Sequence, residues 1–128
     1  MTAWRTRFAP EFLQWFGLVG GAVAWAAHLG FGFFVAQARC GPGSVHWGID
    51  NTTWQATLMA VTALIVALAE VAAVLTLLDT RDSSYSDAPP YGRRHFFALA
   101  AVAGNVLFFV AVILEGVGAI AHTACGQS

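Results

Sequence analysis

The sequence predicts an all-α integral membrane protein with three transmembrane helices, amino terminus inside and carboxyl terminus outside, preceded by an aromatic interfacial arm. Three observations predict it. The 128 residues are 58% hydrophobic and only 10% charged, outside the usual soluble range. Three long apolar runs recur along the chain, and about 20 such residues at a 1.5 Å rise cross a ~30 Å hydrocarbon core. Finally, the arginines fall unevenly about those runs.

Residues 1–14 form the arm. Trp4, Phe8 and Phe12 alternate with Arg5, Arg7 and Glu11, so a short helix here would set aromatics beside basic groups at headgroup depth. The first span is 15–37, WFGLVGGAVAWAAHLGFGFFVAQ, with no charge and a single histidine. It exceeds the ~7–15 residues of a signal-peptide apolar region, so it reads as a retained span despite the Ala36-Gln37-Ala38 pattern. An outside loop, 38–53, follows: Cys40-Gly41-Pro42-Gly43-Ser44 stops a helix, and His46, Trp47 and Asp50 are polar or interfacial. Asn51-Thr52-Thr53 matches a glycosylation acceptor but reads better as a helix cap. The second span, 54–78, carries one acid, Glu70. A connector, 79–95, rich in Ser, Asp and Pro, ends in Arg93-Arg94-His95. The third span, 96–121, is interrupted by Asn105 and Glu115, and 122–128 is an outside tail.

Orientation follows from positive charge. Arg5 and Arg7 precede the first span, Arg81, Arg93 and Arg94 lie between the second and third, and only Arg39 falls on the opposite side. Short basic loops stay cytoplasmic, which predicts a multi-pass protein with its amino terminus inside; no lysine and abundant alanine fit a GC-rich bacterial genome, hence a bacterial inner (plasma) membrane. A net charge of −1 and the absence of lysine exclude nucleic acid, whose phosphates need a basic face.

With this topology Cys40 and Cys125 both lie outside at similar depth, where a disulfide can form. Closing a loop of roughly 85 residues is worth about 4 kcal/mol in loop-entropy models. His46 and His122 share that side, so a two-Cys, two-His metal site is an alternative. No local ligand spacing supports it, and no metal site is expected. His95, beside two arginines, is expected to be merely interfacial.

Polar groups inside the spans are expensive and face protein. His28 continues the small-residue rows Gly17, Gly21, Ala24 and Gly20, Ala24, Gly32. Glu70 continues Ala56, Ala60, Ala63, Ala67, and Asn105 follows Ala98 and Ala101. Small residues let helix backbones approach, so these rows predict the seams. Counting the rise from Trp15, Leu78 and Phe96 sets Glu70 and Asn105 about 12–14 Å deep, His28 about 20 Å and Glu115 about 28 Å. A direct Glu70–Asn105 hydrogen bond is then expected, with His28 one water away. Glu115 is expected to meet Arg39 or headgroups. No nucleophile–base pair or phosphate loop is present, so an enzyme is not expected.

Trp15-Phe16-Gly17, Gly20-Gly21, Ala24-Trp25 and His28-Leu29, with Cys40 after the span, resemble the first helix of small three-helix bacterial membrane proteins associated with haem–copper terminal oxidases. Arg93-Arg94-His95-Phe96-Phe97-Ala98-Leu99, with an apolar helix closing on Cys125, is similar to their last helix. Glu70 and the aromatic arm depart from that pattern. The resemblance implies a respiratory association and no catalytic residue. The expected function is a non-catalytic accessory or assembly subunit that packs laterally against larger membrane subunits. A self-associating solute or ion carrier with Glu70 as its proton-linked group is the alternative. A cytochrome subunit with haem on His28 is a second alternative, although within one chain that histidine has no partner imidazole at its depth.

Overall fold

A computed structural model describes residues 10–40, 50–84 and 86–121, the side chains of residues 39 and 40 excepted. They form three helices, α1 (Pro10–Cys40), α2 (Asn51–Asp79) and α3 (Tyr91–Ala121). Each is long and apolar enough to cross a membrane. The chain runs up, down and up, and every helix packs against both others. At 29 to 31 residues the helices are about 43–46 Å long. They therefore tilt, or extend past a ~30 Å hydrocarbon layer into the headgroups.

Each helix is longer than its predicted span, and for local reasons. Pro10 stands at the first helical position of α1, where its missing N–H breaks no bond. The last residues assigned to the arm, Phe12 and Gln14, are thus the opening turns of α1, and Phe12 stacks on Phe16 with ring centroids 5.8 Å apart. The remainder of the arm, residues 1–9, lies outside the described residues. Asp50, in extended conformation, is the N-cap of α2, one residue earlier than the expected Asn51-Thr52-Thr53 cap. Asn51 is buried inside the helix, which does not suit a glycan acceptor. Arg93, Arg94 and His95 are helical rather than part of the connector.

Between α2 and α3 the chain turns on short-range hydrogen bonds. The Thr80 N–H donates to Thr76 O at 3.0 Å, and the Ser83 N–H to Thr80 O at 2.9 Å. The Asp87 carboxylate accepts from the Ser84 N–H at 2.8 Å, an arrangement Asp favours in turns.

The seam is narrow and made of small residues, as close approach in lipid requires. On α1 the buried positions are Gly17, Gly21, Ala24, His28 and Val35, and on α3 Ala98, Ala101, Asn105, Val112 and Gly116. Both stripes follow the predicted rows. On α2 the stripe is shifted. Gln55, Thr62, Val66, Ala69, Ala73 and Thr76 are buried, whereas Ala56, Ala63, Ala67 and Glu70 flank it and Ala60 is exposed. A helix with small residues on several faces offers more than one row, and packing selects among them.

At Gly17 an added Cβ would lie 2.8 Å from the backbone nitrogen of Ala73 and 3.0 Å from its Cα. This is the tightest backbone approach in the α1–α2 contact. The outward surface is correspondingly apolar: Phe34, Leu107 and Leu114 are 70%, 72% and 68% exposed. A belt of this kind on three full-length apolar helices suits hydrocarbon rather than water.

Candidate functional site

The side chains able to do chemistry sit in the seam, where the small residues leave room for them. They fall into four levels along the bundle axis. At the first level, the N-terminal ends of α1 and α3, the Arg94 Nε–H donates to Gln14 Oε1 at 3.1 Å. Thr80 Oγ1 lies 3.2 Å from His95 Nδ1, so His95 ties the end of α2 to α3 instead of being merely interfacial. The Thr80 hydroxyl also donates back to Thr76 O at 2.9 Å.

At the second level the Asn105 amide donates to the Gly17 carbonyl at 2.8 Å, and its Oδ1 fills the space a side chain at Gly21 would occupy. Glu70 neighbours Asn105, as its depth predicts. The Asn105 amide thus reaches both the α1 backbone and the acid, while Glu70 Oε2 is buried with no hydrogen-bond partner among the described residues.

The third level differs most from expectation. Glu115 faces the α1–α3 seam; its expected contact with Arg39 lies outside the described side chains. Its Oε1 accepts a hydrogen bond from Trp25 Nε1–H at 2.8 Å. Its Oε2 lies 3.4 Å from His28 Nδ1, without hydrogen-bond geometry. The depth estimate failed because it took Trp15 and Phe96 as level, whereas the Asn105–Gly17 bond sets Gly17 of α1 against Asn105 of α3. From that level His28 lies about 16 Å further along α1 and Glu115 about 15 Å further along α3, so the two meet. Trp25 also packs on Phe108, ring centroids 5.6 Å apart, which orients its indole N–H toward the carboxylate. The expected chain of Glu70, Asn105 and His28 is therefore divided, with His28 paired one level further on.

At the fourth level Gln55 Nε2–H donates to Gly32 O at 3.2 Å and Asn51 Nδ2–H to Ala119 O at 3.4 Å. Gln55 is almost wholly buried. Gln55 does not stand out in the sequence beside ionisable groups, and Asn51 reads there as part of a helix cap rather than as a donor between helices. A usable signal existed: Gln55, Thr62, Val66 and Ala73 recur at helical spacings on one face.

His28 is 4% exposed within the seam, whereas haem ligation needs an imidazole open to the macrocycle. No group of three or more His, Cys, Asp or Glu among the described residues could hold a metal. The expected Cys40–Cys125 bridge and the alternative Cys40, Cys125, His46, His122 ligand set lie outside the described residues.

Fold and seam together define a class: an all-helical protein with three candidate membrane-spanning helices, its polar side chains turned inward and its apolar ones outward. No family model, curated protein or solved structure matches the chain.

Proposed function

We propose that this chain is a non-catalytic accessory or assembly subunit of a bacterial membrane complex, docking sideways against larger subunits. The resemblance stated above suggests a respiratory terminal oxidase as that complex. One observation carries the reading. Ala26 and Gly30, one helical turn apart on α1, face away from the bundle, and a Cβ placed on Gly30 meets nothing within 4 Å. A small-xxx-small pair of this kind is what lets a second helix approach in lipid. Here it lies on the outer surface, between the exposed rings of Phe31, Phe33 and Phe34 and the exposed side chain of Val23. In the proposed setting the protein lies in the inner membrane with its amino terminus cytoplasmic, and Cys40 and Cys125 are bridged outside.

The test is co-purification in mild detergent from the native membrane. Ala26→Leu with Gly30→Leu leaves the bundle folded, because both positions are outside it, and removes the co-eluting subunits. Retention of the same partners by the double variant refutes lateral docking through α1. Thiol labelling from outside, with and without reductant, tests topology and bridge together.

A second reading has an observation of its own. Glu70 sits in the seam beside Asn105 with its Oε2 buried and without a hydrogen-bond partner among the described residues, and intramembrane carboxyls serve proton-linked transport in other membrane proteins. In that case the chain self-associates, and Glu70→Gln abolishes proton-coupled flux in vesicles without altering the oligomer.

A further inference from the structure

The pairing of His28 with Glu115 is not used by either reading, and it has the makings of a binding site. Three polar atoms, both ring nitrogens of His28 and Glu115 Oε2, are buried and lack hydrogen-bond partners. Yet Nδ1 and Oε2 are only 3.4 Å apart. The two side chains differ in access: that of His28 is 3% exposed and that of Glu115 30%. The carboxyl is thus the half of the pair that communicates with the surface. It lies about 9 Å from the end of α3.

We propose that His28 and Glu115 form a proton-binding site in the α1–α3 seam, holding one proton between imidazole and carboxyl. The argument is electrostatic. With one proton the pair is net neutral, either as imidazolium and carboxylate or as imidazole and carboxylic acid. Adding a second proton leaves an uncompensated positive charge in the seam, and removing the first leaves an uncompensated negative one. Uncompensated charge in a low-dielectric seam is costly even after relaxation, so both departures loosen the seam. Trp25 Nε1–H, fixed on Oε1 at 2.8 Å, leaves Oε2 as the oxygen that faces the ring.

Among the described side chains, the other charged and titratable groups lie away from the pair. On α1 the only one besides His28 is Glu11, near the opposite end; Arg39, also on α1, has no described side chain. On α2 the titratable groups are Glu70, at the Asn105 level, and Asp79 at the far end, with Asp50 as N-cap. On α3 the remaining ones, Tyr91, Arg93, Arg94 and His95, all lie in the first turns. The site senses acidity on the side where α1 and α3 end, and α1–α3 packing is its output.

The test uses the full chain in detergent or nanodiscs, with 15N-labelled histidine and 13C-carboxyl glutamate, titrated by NMR. His28 is assigned by its loss in His28→Gln. The expected result is that His28 and Glu115 signals move together at common midpoints, as coupled sites do. Glu115→Asp, a second folded background, retains the common midpoints. Thermal stability of the wild type is greatest between the two midpoints and falls on either side, while His28→Gln/Glu115→Gln has no such maximum. Independent midpoints for the two groups, or a stability maximum that survives in the double variant, overturn the proposal.

Discussion

Gly17→Ala and Gly30→Ala make the same chemical change on the same helix and are expected to have opposite effects. At Gly17 the new Cβ lies 2.8 Å from Ala73 N, 3.0 Å from its Cα and 3.2 Å from its Cβ. Backbone cannot rotate aside, so α1 and α2 must part. Forcing an extra methyl into a packed interior costs typically ~1–3 kcal/mol, and the better helix propensity of Ala returns up to about 1 kcal/mol. The net expectation is destabilisation by about 1–2 kcal/mol. At Gly30 nothing lies within 4 Å, so only the propensity gain remains and the variant is as stable as the wild type or slightly more so. Gly116→Ala belongs with Gly17→Ala, because its Cβ would lie 2.8 Å from the Met59 Cβ, which no change of rotamer moves. Unfolding of the purified chain by SDS titration, followed by tryptophan fluorescence, measures all three. If Gly17→Ala and Gly30→Ala agree within about 0.5 kcal/mol, the usual scatter of neutral surface changes, the close α1–α2 approach is wrong.

Other outcomes follow from the polar levels. Asn105→Ala removes the bond to the Gly17 carbonyl and lowers stability by about 0.6–1.7 kcal/mol, the range of interhelical hydrogen bonds in membranes, read by the same SDS titration. Trp25→Phe keeps an aromatic ring against Phe108 but loses the indole donor to Glu115. It is expected to cost a similar ~0.6–1.7 kcal/mol, whereas Trp25→Ala costs about 3–5 kcal/mol through the cavity it leaves. Thr80→Val deletes the hydroxyl's contacts with Thr76 O and His95 Nδ1. Faster amide exchange confined to the last turn of α2 and the first of α3 is the expected signature.

Much of the architecture is legible in the chain because the bilayer imposes it. A segment without charge and longer than the hydrocarbon is thick has few alternatives to a spanning helix. For the same reason Gly17, Gly21 and Ala24, and Ala98, Ala101 and Asn105, identify their own buried faces. The α2 face was harder to read, since alanines occur on several of its sides. The row ending in Glu70 is more regular in sequence than the one through Gln55, Thr62 and Val66 that packing chose. The candidate site was half legible. His28, Glu70, Asn105 and Glu115 could be named as inward-facing because ionisable and amide groups avoid lipid. The roles of Trp25 and Gln55 could not, because a mid-span indole reads as an apolar ring and a lone amide near a span end is at home in the interface.

By itself, then, the sequence determined which segments are helical, that three of them are long and apolar enough to cross a membrane, and that their polar residues must find one another. Those features depend on solvent and on residues close together along the chain. Pairing was decided only by tertiary structure, because it depends on how far each helix slides along its neighbours. Here α1 and α3 slide until Asn105 meets the Gly17 carbonyl, a register that the two span starts do not reveal. That register carries His28 past Asn105 and sets it against Glu115, far away in sequence yet 3.4 Å apart in space.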